Sequence, residues 1–371
     1  MKKILFTANL ESFFTKFLIP QLKWFKENGY EVHVAAKSEK IEIPYCDKVF
    51  DVDFARGFSL KQNITSYKQL CEILKNDRYD IISCHTPFGG AITRLAAKKC
   101  APRDTRVVYM AHGFHFYKGG SKLKNMLFYT AEKFLAKYTD AIITINMDDY
   151  EIAKEKFCCD VRYVSGVGLD KAKFDLVLSE DEKCELRKSL GLSSDDFIMI
   201  YPAELSPPKR HNWLMDTLKP LLRENPNFHL LLPGKDSLQG ACQQLAKELD
   251  LEKQVHFLGF RRDIPKLLKI ADLSITSSCR EGLPVNVMEA IYEGLPVVAT
   301  ACRGNRDLIE TGKNGFIVPV DDKDGFRRNV MAVYGMDGTT RDEIKEYDKT
   351  VINRYLLENV LDEIIKIYTE K

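Results

Sequence analysis

The sequence predicts an α/β protein with two parallel-sheet domains, and three observations carry that prediction. Short runs rich in Val, Ile and Leu alternate with longer amphipathic stretches. This is the pattern of strands buried on both faces and covered by helices. The alternation begins afresh after the turn SGVGLD at residues 165–170. A chain of 371 residues also suffices for two cores of the common domain size, about 100–200 residues each.

In the first half, KKILFTA (2–8), YEVHVAA (30–36), YDIISCH (79–85), TRVVYMAH (105–112) and DAIITI (140–145) predict strands, and the spacing predicts helices over 12–28, 62–76 and 121–138. In the second half, strands are predicted at 196–202, 228–232, 254–258, 272–276 and 296–299. The domains are placed at 1–167 and 174–350, with an amphipathic helix over 351–371. Gly166 and Gly168 sit between the two halves and read as a turn rather than as part of a dinucleotide fingerprint.

Composition removes several function classes. The formal net charge is +2, which gives nucleic acid no support as a partner. No apolar stretch reaches the roughly 18 residues of a membrane span, and MKKILFTANL reads as a first strand rather than a leader. The ten cysteines form no Cys-x-x-Cys pair. Neither a zinc site nor a thioredoxin-type site is indicated, and free thiols in apolar segments fit a reducing cytoplasm. No Gly-x4-Gly-Lys-(Ser/Thr) motif is present, so nothing points to an NTPase.

In open parallel sheets, ligands bind beyond the carboxyl ends of the strands. Four such ends carry polar residues: His85-Thr86 after the third predicted strand, His112 after the fourth, AELSPPKRHN after 196–202, and SCREGLPVNVMEAIYEGLPVVAT from Ser278 to Thr300. In the last stretch Pro284 suits the first position of a helix running to about Glu293. The amides of Val285 and Asn286 would then be unpaired at the positive end of the helix dipole, a site for phosphate. Gly282 permits close approach of a ligand to the backbone. Glu289 lies about 7.5 Å along the helix, with a side chain leaning back toward the helix start. A carboxylate there can accept both hydroxyls of a ribose diol, and Glu281 can accept from a second sugar. The residues describe a nucleotide-sugar cradle. The second Glu-Gly-Leu-Pro, at 293–296, carries no chemistry in this reading.

Glu281-Gly282-Leu283-Pro284, followed eight residues after Glu281 by Glu289-Ala290 and then by Gly294-x-Pro296, resembles the Glu-x7-Glu signature of glycosyltransferase family 4. HTPFGG, MAHGFHFYKGG, INMDDY, VSGVGLD and RGNRDLIETGKNGFIVP resemble its bacterial exopolysaccharide and capsule branch. The resemblance implies the GT-B fold, with two Rossmann-like domains facing across a cleft and the segment 351–371 crossing back to the first domain. It implies a hexosyltransferase-type enzyme, retaining and independent of metal or other cofactor. Such an enzyme moves a sugar from a nucleotide donor, expected to be UDP-linked, to a lipid-linked polyprenyl-diphosphate saccharide in cell-surface polysaccharide synthesis. No enzymic nucleophile is required, because the leaving diphosphate takes the acceptor's proton.

The roles this implies are assigned position by position. His112, Lys209 and Glu281 form the catalytic set. Lys209, Arg210, Phe260, Arg261, Glu281, Gly282, Leu283, Pro284, Val285 and Glu289 bind the donor. Asn9, His85 and Thr86 bind the acceptor, and no residue is assigned to a metal. The family's usual Arg-x4-Lys pair is incomplete, because Glu204 stands where the arginine is common. Two alternatives stay open: a glycosidase using Glu281 and Glu289 as acid and nucleophile, and a catalytically degenerate nucleotide-sugar-binding partner of another transferase. Lys118, Lys122, Lys133 and Lys137 share one side of the predicted helix 121–138, flanked by Leu123, Met126, Leu127 and Phe134. This pattern fits a cytoplasmic protein resting on the inner membrane surface, and equally an ordinary amphipathic helix with snorkelling lysines.

Overall fold

A computed structural model describes residues 1–55 and 57–370. The chain divides into two compact units, Met1–Gly168 with Glu358–Lys371, and Leu169–Leu357.

The first unit holds a seven-stranded, all-parallel sheet: β1 (Lys3–Leu10), β2 (Glu31–Lys37), β3 (Lys48–Asp51), β4 (Ile81–His85), β5 (Arg106–Ala111), β6 (Ala141–Thr144) and β7 (Asp160–Tyr163). Its order is β3-β2-β1-β4-β5-β6-β7, which reverses direction between β1 and β4, the doubly wound arrangement whose crevice opens at that reversal. The second unit holds β8 (Phe197–Ile200), β9 (Phe228–Pro233), β10 (Val255–Gly259), β11 (Leu273–Thr276), β12 (Val297–Thr300) and β13 (Gly315–Val318). It is also wholly parallel, in the order β10-β9-β8-β11-β12-β13, with its reversal between β8 and β11.

The inner strands are apolar because both faces are covered by helices. Every residue of β4, β8, β9, β11 and β12 is buried. One core gathers Leu5, Ile82, Tyr109 and Ile142 with helix residues such as Leu70 and Leu74. The other gathers Met199, Leu230, Ile275 and Val298 with Leu214, Leu218 and Phe326. Three strands lie outside the sequence-predicted set, β3, β7 and β13, and each is an edge strand. Their sequences KVFD, DVRY and GFIV are short, and two of them carry charge because an edge faces water.

Two predicted helices break up. The stretch 12–28 forms two helices, Glu11–Phe17 and Ile19–Glu27, with Pro20 in the opening turn of the second. Proline has no N–H to continue the first helix. The stretch 121–138 is a helix over Lys122–Leu135 followed by a 3₁₀ turn, Ala136–Tyr138. Lys118 therefore precedes the α-helix and Lys137 sits in the 3₁₀ turn after it, so only Lys122 and Lys133 lie in the α-helix. Gly166 and Gly168 take φ of 88° and 85° at the end of the first unit, conformations that favour glycine.

Candidate functional site

The reversal point of the second sheet places the loop after β8 beside the loop after β11. The two are laced together by backbone and hydroxyl bonds. Cys279 donates its N–H to Pro208 O at 3.0 Å, and Ser277 donates its hydroxyl to Lys209 O at 2.8 Å. Tyr201, buried at the end of β8, bonds Ser278 at 2.7 Å and stacks on His211. On this frame Lys209 Nζ donates to Glu281 Oε1, and Ser278 Oγ donates to the same oxygen at 2.6 Å. Lys209 and Glu281 are thus brought together as an ion pair at the mouth of the loops.

The helix that follows is Val285–Tyr292, and Pro284 is its N-cap with extended backbone. Pro284 therefore stands one position before the first helical residue predicted for it. Its carbonyl accepts from Val287 and Met288. The amides of Val285 and Asn286 have no partner among the described residues, because the first turn of a helix leaves them over. The loop around Gly282 is held close by a neighbour. Gly304 (φ +79°) lies so near that a Cβ there would meet Gly282 O at 2.4 Å, and Arg303 Nε donates to Glu281 O at 2.8 Å. Leu283 is buried, so it serves the loop through packing and backbone.

Glu289 is half-buried on the same helix. Burial pushes its carboxyl up to about 7, opposed by the charge of Lys173. No described residue hydrogen-bonds it, so both oxygens are available to a diol. Arg210, in left-handed conformation, pairs with Asp321 and lies over the Trp213 ring at 4.9 Å. Arg261 makes a two-point pair with Asp263, while Phe260 is exposed. Glu204 accepts from Ser237. Sequence reasoning gave no role to the side chain of Asn286 or to Arg303. Asn286 Nδ2 is buried without a partner among the described residues, one residue into the helix, and Arg303 braces Glu281. The signal for Arg303 was its place just beyond β12, the next strand end along the sheet.

In the first unit, the reversal between β1 and β4 joins Asn9 to Thr86. Asn9 Oδ1 accepts from Thr86 Oγ1 at 2.7 Å and from Gly89 N at 2.8 Å, so Asn9 caps the helix Pro87–Cys100. Thr86 holds φ of +61°, a strained conformation of the kind stored at functional sites. A Cβ at Gly89 would meet Asn9 Oδ1 at 2.6 Å and Thr86 Oγ1 at 2.8 Å, so a larger residue there would displace this cap. His85 departs from its predicted role in acceptor binding. It has no exposed surface, and its two ring nitrogens bond Ser83 and His112. His85 backs His112 rather than facing a ligand. His112 is half-buried against Phe13 and Phe17, and desolvation lowers its imidazole to about 4.

Two family models match the chain: "Glycosyl transferase 4-like" over residues 3–146 and "Glycosyl transferases group 1" over residues 182–351. A Bacillus subtilis protein named "Putative glycosyltransferase EpsD" is 38% identical over 99% of this chain and 96% of its own length. The chain belongs to glycosyltransferase family 4. The transferase also resembles the Escherichia coli UDP-Gal:alpha-D-GlcNAc-diphosphoundecaprenol alpha-1,3-galactosyltransferase, with 27% identity over 85% of this chain and 81% of the relative. It resembles a Campylobacter jejuni diphospho-undecaprenol alpha-1,3-N-acetylgalactosaminyltransferase, with 25% identity over 94% of this chain and 96% of the relative. Among solved structures, Anabaena HepE, crystallised with UDP-glucose, superposes with a TM-score of 0.80 at 20% identity, covering 99% of both chains. That likeness shows the GT-B fold. No helix among the described residues is long and apolar enough to cross a membrane.

Proposed function

We propose that this glycosyltransferase uses a UDP-sugar donor and a lipid-linked saccharide acceptor, with retention and without metal. One observation carries the reading. The ion pair Lys209–Glu281 lies in the loops that lead into the helix Val285–Tyr292, where the amides of Val285 and Asn286, Asn286 Nδ2 and the Glu289 carboxylate have no partner among the described residues. This arrangement offers donors to a diphosphate and acceptors to a sugar on each side. The printed names of the E. coli and C. jejuni relatives specify diphosphoundecaprenol substrates, the E. coli name specifies UDP-Gal, and HepE binds UDP-glucose. These support the same choice of substrates.

In the proposed reaction the bond between sugar C1 and the diphosphate oxygen breaks while the acceptor oxygen bonds C1 on the same face. The acceptor's proton passes to the leaving diphosphate. Charge grows on the diphosphate as the bond breaks, and Lys209, the amides of Val285 and Asn286, and Asn286 Nδ2 are the donors that stabilise it. Glu204 cannot share that work, because its charge has the wrong sign. Glu289 holds the ribose, Glu281 a hydroxyl of the transferred sugar, and His112 the sugar or phosphate near the reacting carbon. Asn9 and Thr86 are assigned to the acceptor.

A peripheral membrane contact belongs to this proposal. On the helix Lys122–Leu135, the side chains of Leu123, Met126, Leu127 and Phe134 are 72, 62, 54 and 48% exposed. The inner side is anchored by a buried pair, Arg94 to Glu132 at 2.7 Å. The apolar face continues beyond the helix. Phe128 contacts Phe88, which contacts Phe58, and Phe58 and Leu60 are 82 and 73% exposed. Lys118, Lys122, Lys133 and Lys137, all exposed, lie in or beside this segment, as suits an anionic lipid surface.

The test is turnover of UDP-sugars with a polyprenyl-diphosphate saccharide. The product anomer is read by NMR, with and without a chelator. Retained configuration and full activity in chelator are expected. UDP binding without transfer to any lipid-linked acceptor would instead mark a partner protein that only holds the donor.

A further inference from the structure

A buried chain of hydrogen bonds in the first unit ends on His112. The Tyr368 hydroxyl lies 2.6 Å from Ser83 Oγ, Ser83 Oγ lies 2.9 Å from His85 Nε2, and His85 Nδ1 lies 3.1 Å from His112 Nε2. Ser83 and His85 sit at the end of β4, and Tyr368 comes from the helix Leu357–Thr369. Ser83, His85 and Tyr368 are no more than 1% exposed. Phe6 and Phe25 pack around the phenol. Burial lowers both imidazoles, so near neutral pH each ring carries one proton.

Counting protons gives the chain a direction. Each of the three links needs one donor. If Ser83 donated to Tyr368, the buried phenol would have no acceptor for its own proton, since no other described residue bonds it. A buried hydroxyl left in that state costs about 1–3 kcal/mol. The satisfied arrangement has Tyr368 donating to Ser83 and Ser83 donating to His85 Nε2. The His85 proton is then on Nδ1 and is donated to His112 Nε2. With Nε2 of His112 an acceptor, its proton belongs on Nδ1, which makes no hydrogen bond among the described residues.

We propose that Tyr368 fixes the tautomer of His112 through Ser83 and His85, holding His112 Nδ1 as an N–H donor. Ser83, His85 and Tyr368 are positioning residues. So held, His112 can donate to a sugar hydroxyl or a phosphate oxygen and cannot remove a proton through Nδ1. This agrees with a mechanism in which the diphosphate takes the acceptor's proton, and it rests on the assignment of His112 to the donor.

The experiment is ¹⁵N NMR of the histidine-labelled full chain, wild type, Tyr368→Phe and Ser83→Ala, with donor kinetics on each. In the wild type, His112 Nδ1 should appear protonated and Nε2 unprotonated. Tyr368→Phe removes the first link and Ser83→Ala the first two, so each should shift population toward the other tautomer. Each should lower kcat about tenfold, the effect of losing one neutral hydrogen bond made in the transition state, with donor KM little changed. A proton on Nε2 in the wild type, or one unchanged tautomer in all three proteins, overturns the proposal. The two readings fail separately. Wild-type turnover in His112→Ala removes His112 from the donor and leaves the NMR result standing, whereas unchanged tautomers remove the relay alone.

Discussion

Lys209 donates from Nζ to Glu281 Oε1 at 2.5 Å, across two loops that Ser277 and Cys279 bind together. In the absence of donor the carboxylate holds the ammonium in place, so its position is set before a diphosphate arrives. Preorganised charge of this kind is the strongest form of transition-state stabilisation available to a protein. Lys209→Ala should therefore lower kcat about 10²- to 10³-fold and change donor KM much less. Steady-state kinetics over a range of UDP-sugar concentrations measures both, and a wild-type kcat would remove Lys209 from the chemistry.

With Glu289 assigned to the ribose, donor binding should depend on pH. Burial raises its carboxyl to about 7, and the ionised form is the one that accepts two ribose hydroxyls. Above that value the carboxylate is present and UDP affinity should be flat. Below it, binding must first expel a proton, so affinity should fall by up to about tenfold per pH unit. Calorimetric titration of UDP from pH 5.5 to 8.5 tests the slope. Glu289→Gln, which cannot titrate, should bind more weakly at pH 8 and lose the dependence; a slope that survives the substitution assigns the proton elsewhere.

Much of this site could be read from the chain, for reasons tied to particular residues. The inner strands β4, β8 and β11 announce themselves because burial on both faces demands unbroken apolar runs. The ends of these strands and the loops that follow them hold His85-Thr86, Lys209 and Glu281. The start of the helix at 285 is marked by Pro284 to within one residue. What stayed hidden depends on long-range packing. β3 and β7 are edge strands whose half-solvated positions interrupt the apolar pattern, and β13, GFIV, is an apolar edge strand of only four residues. His85 has the composition of a ligand-facing strand end, yet Ser83 and His112 occupy both of its nitrogens. Arg94 and Glu132 are separated by 38 residues, and no local spacing predicts that a buried charge finds its partner there. Arg210 reads as a donor-binding residue, but Asp321, which takes it up, lies on a distant loop.

The exposed apolar face predicts membrane binding of a specific kind. Leu123 and Leu127 stand a helical turn apart, and Phe58 extends the patch without any covalent continuity. Leu123→Ser with Leu127→Ser should abolish most cosedimentation with vesicles rich in anionic lipid, because each buried Leu contributes about 1.5–3 kcal/mol. Replacing Lys122 and Lys133 by Ala should weaken binding about fivefold per residue, roughly 1 kcal/mol each. The lysine contribution should fade at high salt. Turnover of a soluble, short-chain acceptor should be unaffected by either change. Equal vesicle binding by wild type and the leucine double variant would move the contact to another face.

Asp348 carries a prediction about stability rather than catalysis. It lies on the helix Gly338–Ile352, only 1% exposed, and neither carboxylate oxygen has a hydrogen-bond partner among the described residues. Burial raises its carboxyl to about 8, opposed only in part by Asn314, whose Nδ2 is given to Leu308 O. The folded chain thus keeps a proton that the unfolded chain releases near pH 4. Between those values the native state binds more protons than the denatured state, so this contribution is greatest at low pH and is lost as pH rises toward 8. Asp348→Asn replaces the acid with a neutral group of the same shape and removes the titration. The stability of the variant relative to the wild type should rise between pH 5 and pH 8, by on the order of 4 kcal/mol at most. Urea denaturation of both proteins at the two pH values gives the difference directly, and other titrating groups, Glu289 among them, cancel in the comparison. A difference that does not grow with pH would show that Asp348 is already ionised in the folded protein.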